Sequence, residues 1–531
     1  MRNITILVLL IFAIVANVSA QFKMSEGSRK VATTMAVIEN LYVDKVDDNK
    51  LAEDAIKSIL EKLDPHSTYI SAEEVREMNE PLEGNFDGIG ISFNMLTDTL
   101  YVIETIPGGP SEKVGLRAGD KILYVNDTLI AGVKKSTKYV TSHLKGPKGT
   151  KVNVKVLRRG VPDLLSFNIT RAKIPVYSID ASYMVDANIG YIRIIRFGAT
   201  TSKEFNDALK KLKTQGMENL ILDLESNGGG YMAPAIDLSD EFLSNGRLIV
   251  YTEGSRQPRR DEVATGKGDF ETGKLVIMIN EGSASASEIL SGAVQDWDRG
   301  VIVGRRSFGK GLVQRPIPLP DESMIRLTVA RYYTPTGRSI QKPYTSGDLM
   351  SYNKDVIERY NRGEMMHADS IHFPDSLKYQ TLVNKRTVYG GGGIMPDYFV
   401  PADTSRYTPY LGSIANRGII NKVAYGIVDV DRDKIKKQYP TKEDFYENFT
   451  VSEDILVKMT AEAEKEKIEF NEEQYDKSKE VFKYQIKALI GRDVYDMETL
   501  IRVFNDHSDT FKKAYEIIRN NEMYNKLLNK K

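Results

Sequence analysis

Apolar residues in this chain change their spacing from segment to segment, and those changes outline its parts. Near the start, Val31, Met35, Ile38 and Leu41 recur at the interval of one helix face, and residues 51–63 repeat the pattern. Asp64-Pro65-His66-Ser67 then breaks it and reads as a loop or cap. Between 83 and 172 the spacing becomes that of strands. Gly88-Ile89-Gly90-Ile91 opens one, 100–103 forms another, and 151–157 alternates as a half-buried strand does. From 173 onward strands and helices alternate: strand 189–194, helix 201–212, buried strand 220–224, helix-like run 233–243, strand 275–279, then a helix with Ile289, Leu290 and Val294 on one face. Residues 344–388 are polar and tyrosine-rich and read as an excursion, and 397–401 reads as a closing strand. Beyond 404 the helical runs 441–447, 451–467 and 499–528 alternate acidic and basic residues, the mark of a solvated face. The expected fold is α/β and multidomain. A helical N-terminal region (21–82) precedes a β-rich module (83–172), an α/β core (173–403) and a charged helical C-terminal extension (404–531).

Composition narrows the class. At 531 residues the chain exceeds one ordinary domain. Basic and acidic residues balance at 73 each, and no basic block carries interleaved aromatics, so nothing points to nucleic acid. There is no cysteine, which excludes disulfides, thiolate metal sites and attachment through a lipidated cysteine. No H-E-x-x-H spacing occurs, and neither metal nor cofactor is expected. Residues 1–20 form a signal-peptide pattern: Arg2, an apolar stretch over 4–16, and Val18-Ser19-Ala20 as a small-residue cleavage site. The expected mature chain starts at Gln21 in a periplasm-like space. An uncleaved anchor is the lesser alternative, because the apolar stretch is short for a membrane span.

Candidate chemistry concentrates in residues 274–314. Ser283, Ser285 and Ser287 stand where a strand hands over to a helix. Unpaired N–H groups and the positive dipole end at such a place can stabilise an oxyanion, although serine is also a common helix cap. Lys310 follows, between Gly309 and Gly311, in an uncharged local sequence. A lysine acts as a base only when its pKa of about 10.4 falls towards 7–8, which burial can achieve. None of the five histidines has a setting that suggests a triad. Earlier, Gly228-Gly229-Gly230 ends a buried strand; it lacks both dinucleotide and P-loop spacing, and can instead offer N–H groups to an oxyanion.

Gly-Ser-Ala-Ser-Ala-Ser-Glu-Ile (282–289) and Phe-Gly-Lys-Gly-Leu-Val-Gln (308–314) resemble the motifs of the carboxyl-terminal processing peptidases, the tail-specific proteases. The resemblance covers roughly 28–402 and implies a serine–lysine dyad on a crotonase- or ClpP-like core. The family's 25-residue separation selects Ser285 and Lys310, with Gln314 orienting the lysine. It also implies an oxyanion hole at Gly229, with Gly230 as second choice, paired with Ala286. The 83–172 segment, with Gly-Leu-Arg-Ala-Gly-Asp-Lys-Ile-Leu-Tyr-Val-Asn-Asp (115–127), resembles a PDZ domain. That implies a carboxylate-binding loop at Gly88, Ile89, Gly90 and Ile91, where a peptide tail adds to a sheet edge. The implied protein is an exported serine endopeptidase that recognises exposed C-terminal tails, with a homodimer and an adaptor or regulator as further partners. The family has arginine where this chain has Glu225, and a carboxylate beside the lysine would raise its pKa. Glu225 is therefore the support for an alternative reading, an inactive PDZ-based binding or scaffold protein. The intact serine, lysine and glutamine speak against it. A third reading, an acyl-thioester enzyme on a related core, conflicts with export.

Overall fold

The computed structural model describes residues 25–96 and 98–529. The export signal read over 1–20 lies outside the described residues.

A six-stranded sheet forms the centre, in the order Ile179–Met184, Ile189–Ile194, Asn219–Asp223, Leu275–Ile279, Val301–Gly304, Tyr398–Phe399. The first pair is antiparallel and the remaining pairs are parallel. Parallel strands need cover on both faces, and their side chains divide by the strand period of two. Ile192, Leu220, Leu222 and Ile277 join Phe205, Leu238 and Ile289 from the helices Thr201–Thr214, Met232–Asp240 and Ala286–Asp296. Tyr191, Ile221, Val276, Met278 and Val303 join a second cluster on the other face.

That second cluster revises the reading of 404–531. The charge alternation suggested a solvated appendage. Instead Ile414, Val423, Phe482, Ile486, Phe511 and Ile517 are buried together with the sheet residues. Phe511 packs edge-on against Tyr191, ring centroids 5.6 Å apart. The helix Asp509–Arg519 lies along Leu275–Ile279. The charges occupy the outer faces of these helices, while their apolar stripes complete the core.

A second sheet joins Thr68–Ile70, Met324–Tyr333, Leu248–Gly254 and Gln257–Val263 in that order, with Leu312–Pro318 also paired to Met324–Tyr333. Its first strand comes from the N-terminal region, so the turn at 64–67 is pinned beside the core. The β-rich module has the order Ile91–Leu96, Thr99–Thr105, Lys121–Val125, Lys151–Leu157, Leu165–Thr170 around Leu100, Val102, Ile122 and Val154. Ile91–Leu96 is an edge strand with one side unpaired. Asn85–Gly88 pairs with Ala172–Pro175 where the chain enters and leaves this module. The helix Glu26–Leu41 buries none of its residues; Val31 and Leu41 are exposed. The excursion contains the helix Leu349–Asn361 and a small hairpin, Lys378–Gln380 with Thr387–Tyr389.

Candidate active site

Ser283 and Ser285 occupy the turn between Leu275–Ile279 and Ala286–Asp296, Ser287 stands in the first turn of that helix, and their surroundings separate them. Ser283 and Ser287 are fully buried and donate to the carbonyls of Leu224 (2.7 Å) and Asn227 (2.9 Å). Ser285 lines an open cleft of about 740 Å³. Its φ is 54°, a left-handed conformation that strains a non-glycine residue. This sharp turn presents Ser285 at the helix start, where Ala286 contributes one of the N–H groups a helix leaves unpaired.

The glycine loop presses against this turn. Gly229 has φ 97°, and a Cβ there would lie 2.8 Å from Ala284 O and Ser285 Cβ and 3.0 Å from Ala286 N. The Gly229 N–H is engaged, donating to Asn227 Oδ1 at 2.9 Å. Among the described residues the N–H groups of Gly230 and Ala286 carry no hydrogen bond.

Glu288 joins the two halves of the site. It is fully buried. Oε2 accepts the N–H of Ser285 at 2.8 Å and of Lys310 at 2.9 Å. Oε1 accepts the Ser307 hydroxyl at 2.5 Å and the Gly309 N–H at 2.7 Å. One carboxylate thus holds the backbones of Ser285 and Lys310 in a single frame. Burial pushes its pKa up, and the four donors oppose that shift. Tyr332 adds a second tie, its hydroxyl donating to the carbonyls of Lys310 and Ser285.

Lys310 lines the same cleft as Ser285. Among the described residues its ammonium forms no ion pair or hydrogen bond. Its pKa falls from 10.5 to about 8, chiefly through burial and then through the positive charge of Arg326, while Glu288 and Asp64 pull it upward. The lysine therefore has carboxylates near it in space that its uncharged sequence neighbourhood does not reveal. Glu225 is not one of them. It interacts with Asp223, Arg305 and Glu281, and burial followed by Asp223 pushes it up to about 8. The substitution that spoke for an inactive protein leaves Lys310 untouched.

Gln314 also lines the cleft; its amide donates to Leu312 O and Thr328 Oγ1, both at 3.4 Å, and among the described residues it forms no hydrogen bond with the Lys310 side chain. The turn at 64–67 approaches from behind. Asp64 Oδ1 accepts from the N–H groups of His66 and Ser67 and from Thr328 Oγ1. His66 Nε2 lies 2.8 Å from Tyr352 Oη, and burial, then Lys310, lowers its pKa to about 4. The imidazole is thus a neutral, positioned group, and the turn braces the lysine side of the cleft.

The sequence reading did not single out Glu288, Tyr332, Arg326 or Asp64 as site residues. Glu288 had a signal, since Ser-x-x-Glu is the spacing of a capping box. In the β-rich module, Gly88 ends one strand, Ile91 begins the free edge strand, and Gly90 turns between them at φ 75°. The Ile89 carbonyl accepts the Ser111 N–H (3.1 Å) and hydroxyl (2.6 Å), which fixes the loop.

Residues 188–350 match Peptidase family S41, 88–169 match the PDZ domain, 13–74 match the Activating protease CtpB N-terminal domain, and 410–496 match a family of unknown function, DUF8443. The carboxy-terminal-processing protease of Bartonella bacilliformis is 39% identical over 338 residues, spanning 63% of this chain and 76% of its own. The carboxy-terminal processing protease CtpA of Bacillus subtilis is 34% identical over 339 residues, spanning 62% and 71%. Among solved structures, the photosystem II D1 C-terminal processing protease aligns at 29% identity with a TM-score of 0.34, covering 61% of this chain and 92% of that one. On the identity it shares with these proteases across most of their length, this chain belongs to peptidase family S41, the carboxy-terminal-processing serine proteases.

Proposed function

We propose that this peptidase is exported and cuts proteins near their carboxyl termini, with Ser285 as nucleophile and Lys310 as general base. The observation that carries this reading is the single Glu288 carboxylate that fixes Ser285 and Lys310 together, beside a lysine whose pKa has dropped to about 8. Neutral Lys310 takes the Ser285 proton as Oγ attacks the scissile carbonyl. The Ala286 N–H and the free Gly230 N–H receive the oxyanion; Gly229 serves as the close-packed hinge that lets this loop approach. Lys310 then protonates the leaving amine, and the acyl-enzyme is hydrolysed by water that Lys310 deprotonates. Each oxyanion donor is typically worth about 10²–10³ in rate.

Tail delivery belongs to the PDZ domain. Its free edge strand Ile91–Leu96 supports β-addition, and the Gly88–Ile91 loop supports capture of the terminal carboxylate. Export rests on the pattern over 1–20. Among the described residues no helix is long and apolar enough to cross a membrane.

The test incubates the chain and its Ser285→Ala variant with an unfolded protein bearing an apolar C-terminal tail, and reads the products by intact mass. Cleavage by the wild type alone, with tail binding retained by the variant, is expected. Cleavage by both removes Ser285 from the mechanism.

A further inference from the structure

The cleft holds a cation that the steps above do not use. Met324, Arg326 and Tyr332 of the strand Met324–Tyr333 all line the cleft with Ser285 and Lys310. Arg326 is clamped in register between Thr68 on one neighbouring strand and Pro316 on the other. Across the cleft, the helix Ala72–Glu83 supplies Val75, Met78 and Leu82 as an apolar wall.

Among the described residues the guanidinium of Arg326 has no strong acceptor. Its Nη1 lies 3.5 Å from Met78 Sδ, a weak acceptor, and its buried Nε has no partner. Burial lowers its pKa, and no carboxylate among the described residues offsets that shift. Among the described residues the buried Nε atoms of Arg306, Arg338 and Arg359 also lack a partner, but each of these arginines reaches a carboxylate or a backbone carbonyl through its other nitrogens. Arg338 pairs with Asp296, Arg386 with Asp298 and Asp397, and Arg306 with Glu364. Arg171 and Arg299 donate instead to backbone carbonyls. Arg326 stands apart because it faces an open cleft rather than a finished core.

The charged groups around it do not close the gap. Lys310, when protonated, is a like charge. Asp64 is committed to the turn at 64–67 and to Thr328. Glu288 is sealed behind the site by its four donors. Glu322 stands on the cleft rim and forms no ion pair with Arg326 among the described residues. Holding an unpaired cation in a part-apolar cleft is costly unless an anion arrives. The planar fork of arginine fits a carboxylate through two parallel N–H donors.

We propose that Arg326 is a carboxylate-binding subsite of the cleft, pairing with a carboxylate on the substrate strand that lies across Ser285. That carboxylate is either an Asp or Glu side chain near the scissile bond or the tail's own terminus when the cut falls close to it. The inference rests on the Ser285–Lys310 reading of the cleft. It also couples substrate to base: an arriving anion offsets the field by which Arg326 adds to burial in lowering the Lys310 pKa, so acidic substrates shift the rise of kcat to higher pH than neutral ones.

The experiment uses full-length enzyme and one parent peptide. Glu or Gln is placed at successive positions around the cut, and each peptide is made as free acid and as amide. Wild type, Arg326→Met, Arg326→Lys and Ser285→Ala are compared. The expected result is a preference in kcat/KM of about tenfold to a hundredfold for a carboxylate at one position. It falls to about one in Arg326→Met and is intermediate in Arg326→Lys. A preference in the Glu-against-Gln arm assigns a side chain; one in the acid-against-amide arm assigns the terminus. Absence of any carboxylate preference in wild type overturns the proposal, as does a preference that Arg326→Met leaves intact, which then belongs to the PDZ edge. If Arg326→Met does not fold, the salt dependence of the wild-type preference and the Arg326→Lys ratio decide: a preference unaffected by both overturns it. Cleavage by Ser285→Ala is a separate failure, of the dyad rather than of Arg326.

Discussion

Glu288→Gln is the sharpest perturbation of this site. It preserves side-chain volume but replaces one acceptor oxygen with an NH2. Either orientation of the amide faces that NH2 towards two donors: Ser285 and Lys310 N–H on one side, Ser307 Oγ and Gly309 N–H on the other. The second orientation is the less damaging, since the Ser307 hydroxyl can rotate to accept, which leaves Gly309 N–H unpaired. A hydrogen bond to a charged group contributes about 1.5–3 kcal/mol, and a buried unpaired donor costs about 1–3. Two disturbed bonds therefore amount to about 2–6 kcal/mol, divided between stability and alignment. If half reaches the transition state, kcat falls about 5- to 150-fold. A second signature is independent of that magnitude. Glu288 holds the Lys310 pKa up, so removing its charge lowers the midpoint of the kcat–pH curve below about 8 even as the plateau drops. The assay is peptide cleavage between about pH 6 and 10, with thermal unfolding recorded alongside. An unchanged plateau, or a midpoint displaced upward, refutes the argument.

The wild-type enzyme gains activity as pH rises through about 8, because the neutral amine is the base; a profile flat over that range removes Lys310 from the role. Gly229→Ala places a Cβ 2.8 Å from Ala284 O and Ser285 Cβ at a φ of 97° that strains alanine, so cleavage falls by about a hundredfold or more and thermal unfolding comes earlier; wild-type activity refutes the close packing. Phe511→Ala empties the cover of the central sheet and costs about 3–5 kcal/mol in urea unfolding; a loss below about 1 kcal/mol means the C-terminal helices do not complete the core. Amidating a tail peptide weakens its binding to full-length Ser285→Ala; equal affinity of acid and amide removes tail capture from the Gly88–Ile91 loop.

Much of the site was legible because its chemistry is local. The strand-to-helix turn around Ser285, the glycine flanks of Lys310 and the glycine loop at 228–230 each lie within a few residues of chain. The strands of the core and the β-rich module were legible for the same reason, since a period of two is written in consecutive positions. The choice among three serines was less so. The strand-to-helix pattern allowed all of them and only the family's 25-residue separation from Lys310 selected Ser285; the fold adds that Ser283 and Ser287 are buried while Ser285 lines the cleft.

The sequence by itself determined where strands give way to helices, which short segments hold the proposed nucleophile and base, and which family those segments resemble. The tertiary structure decided what stands around them. It brought Glu288, Arg326 and Asp64 to Lys310, sent Glu225 away to Asp223 and Arg305, and turned the charged tail into the second cover of the sheet. The physical reason is range. A helix period or a tight turn is fixed by neighbours along the chain, so sequence records it directly. A lysine's pKa and a sheet's second face depend on groups that share a volume while lying tens to hundreds of residues apart, and only the packed chain determines which of them meet.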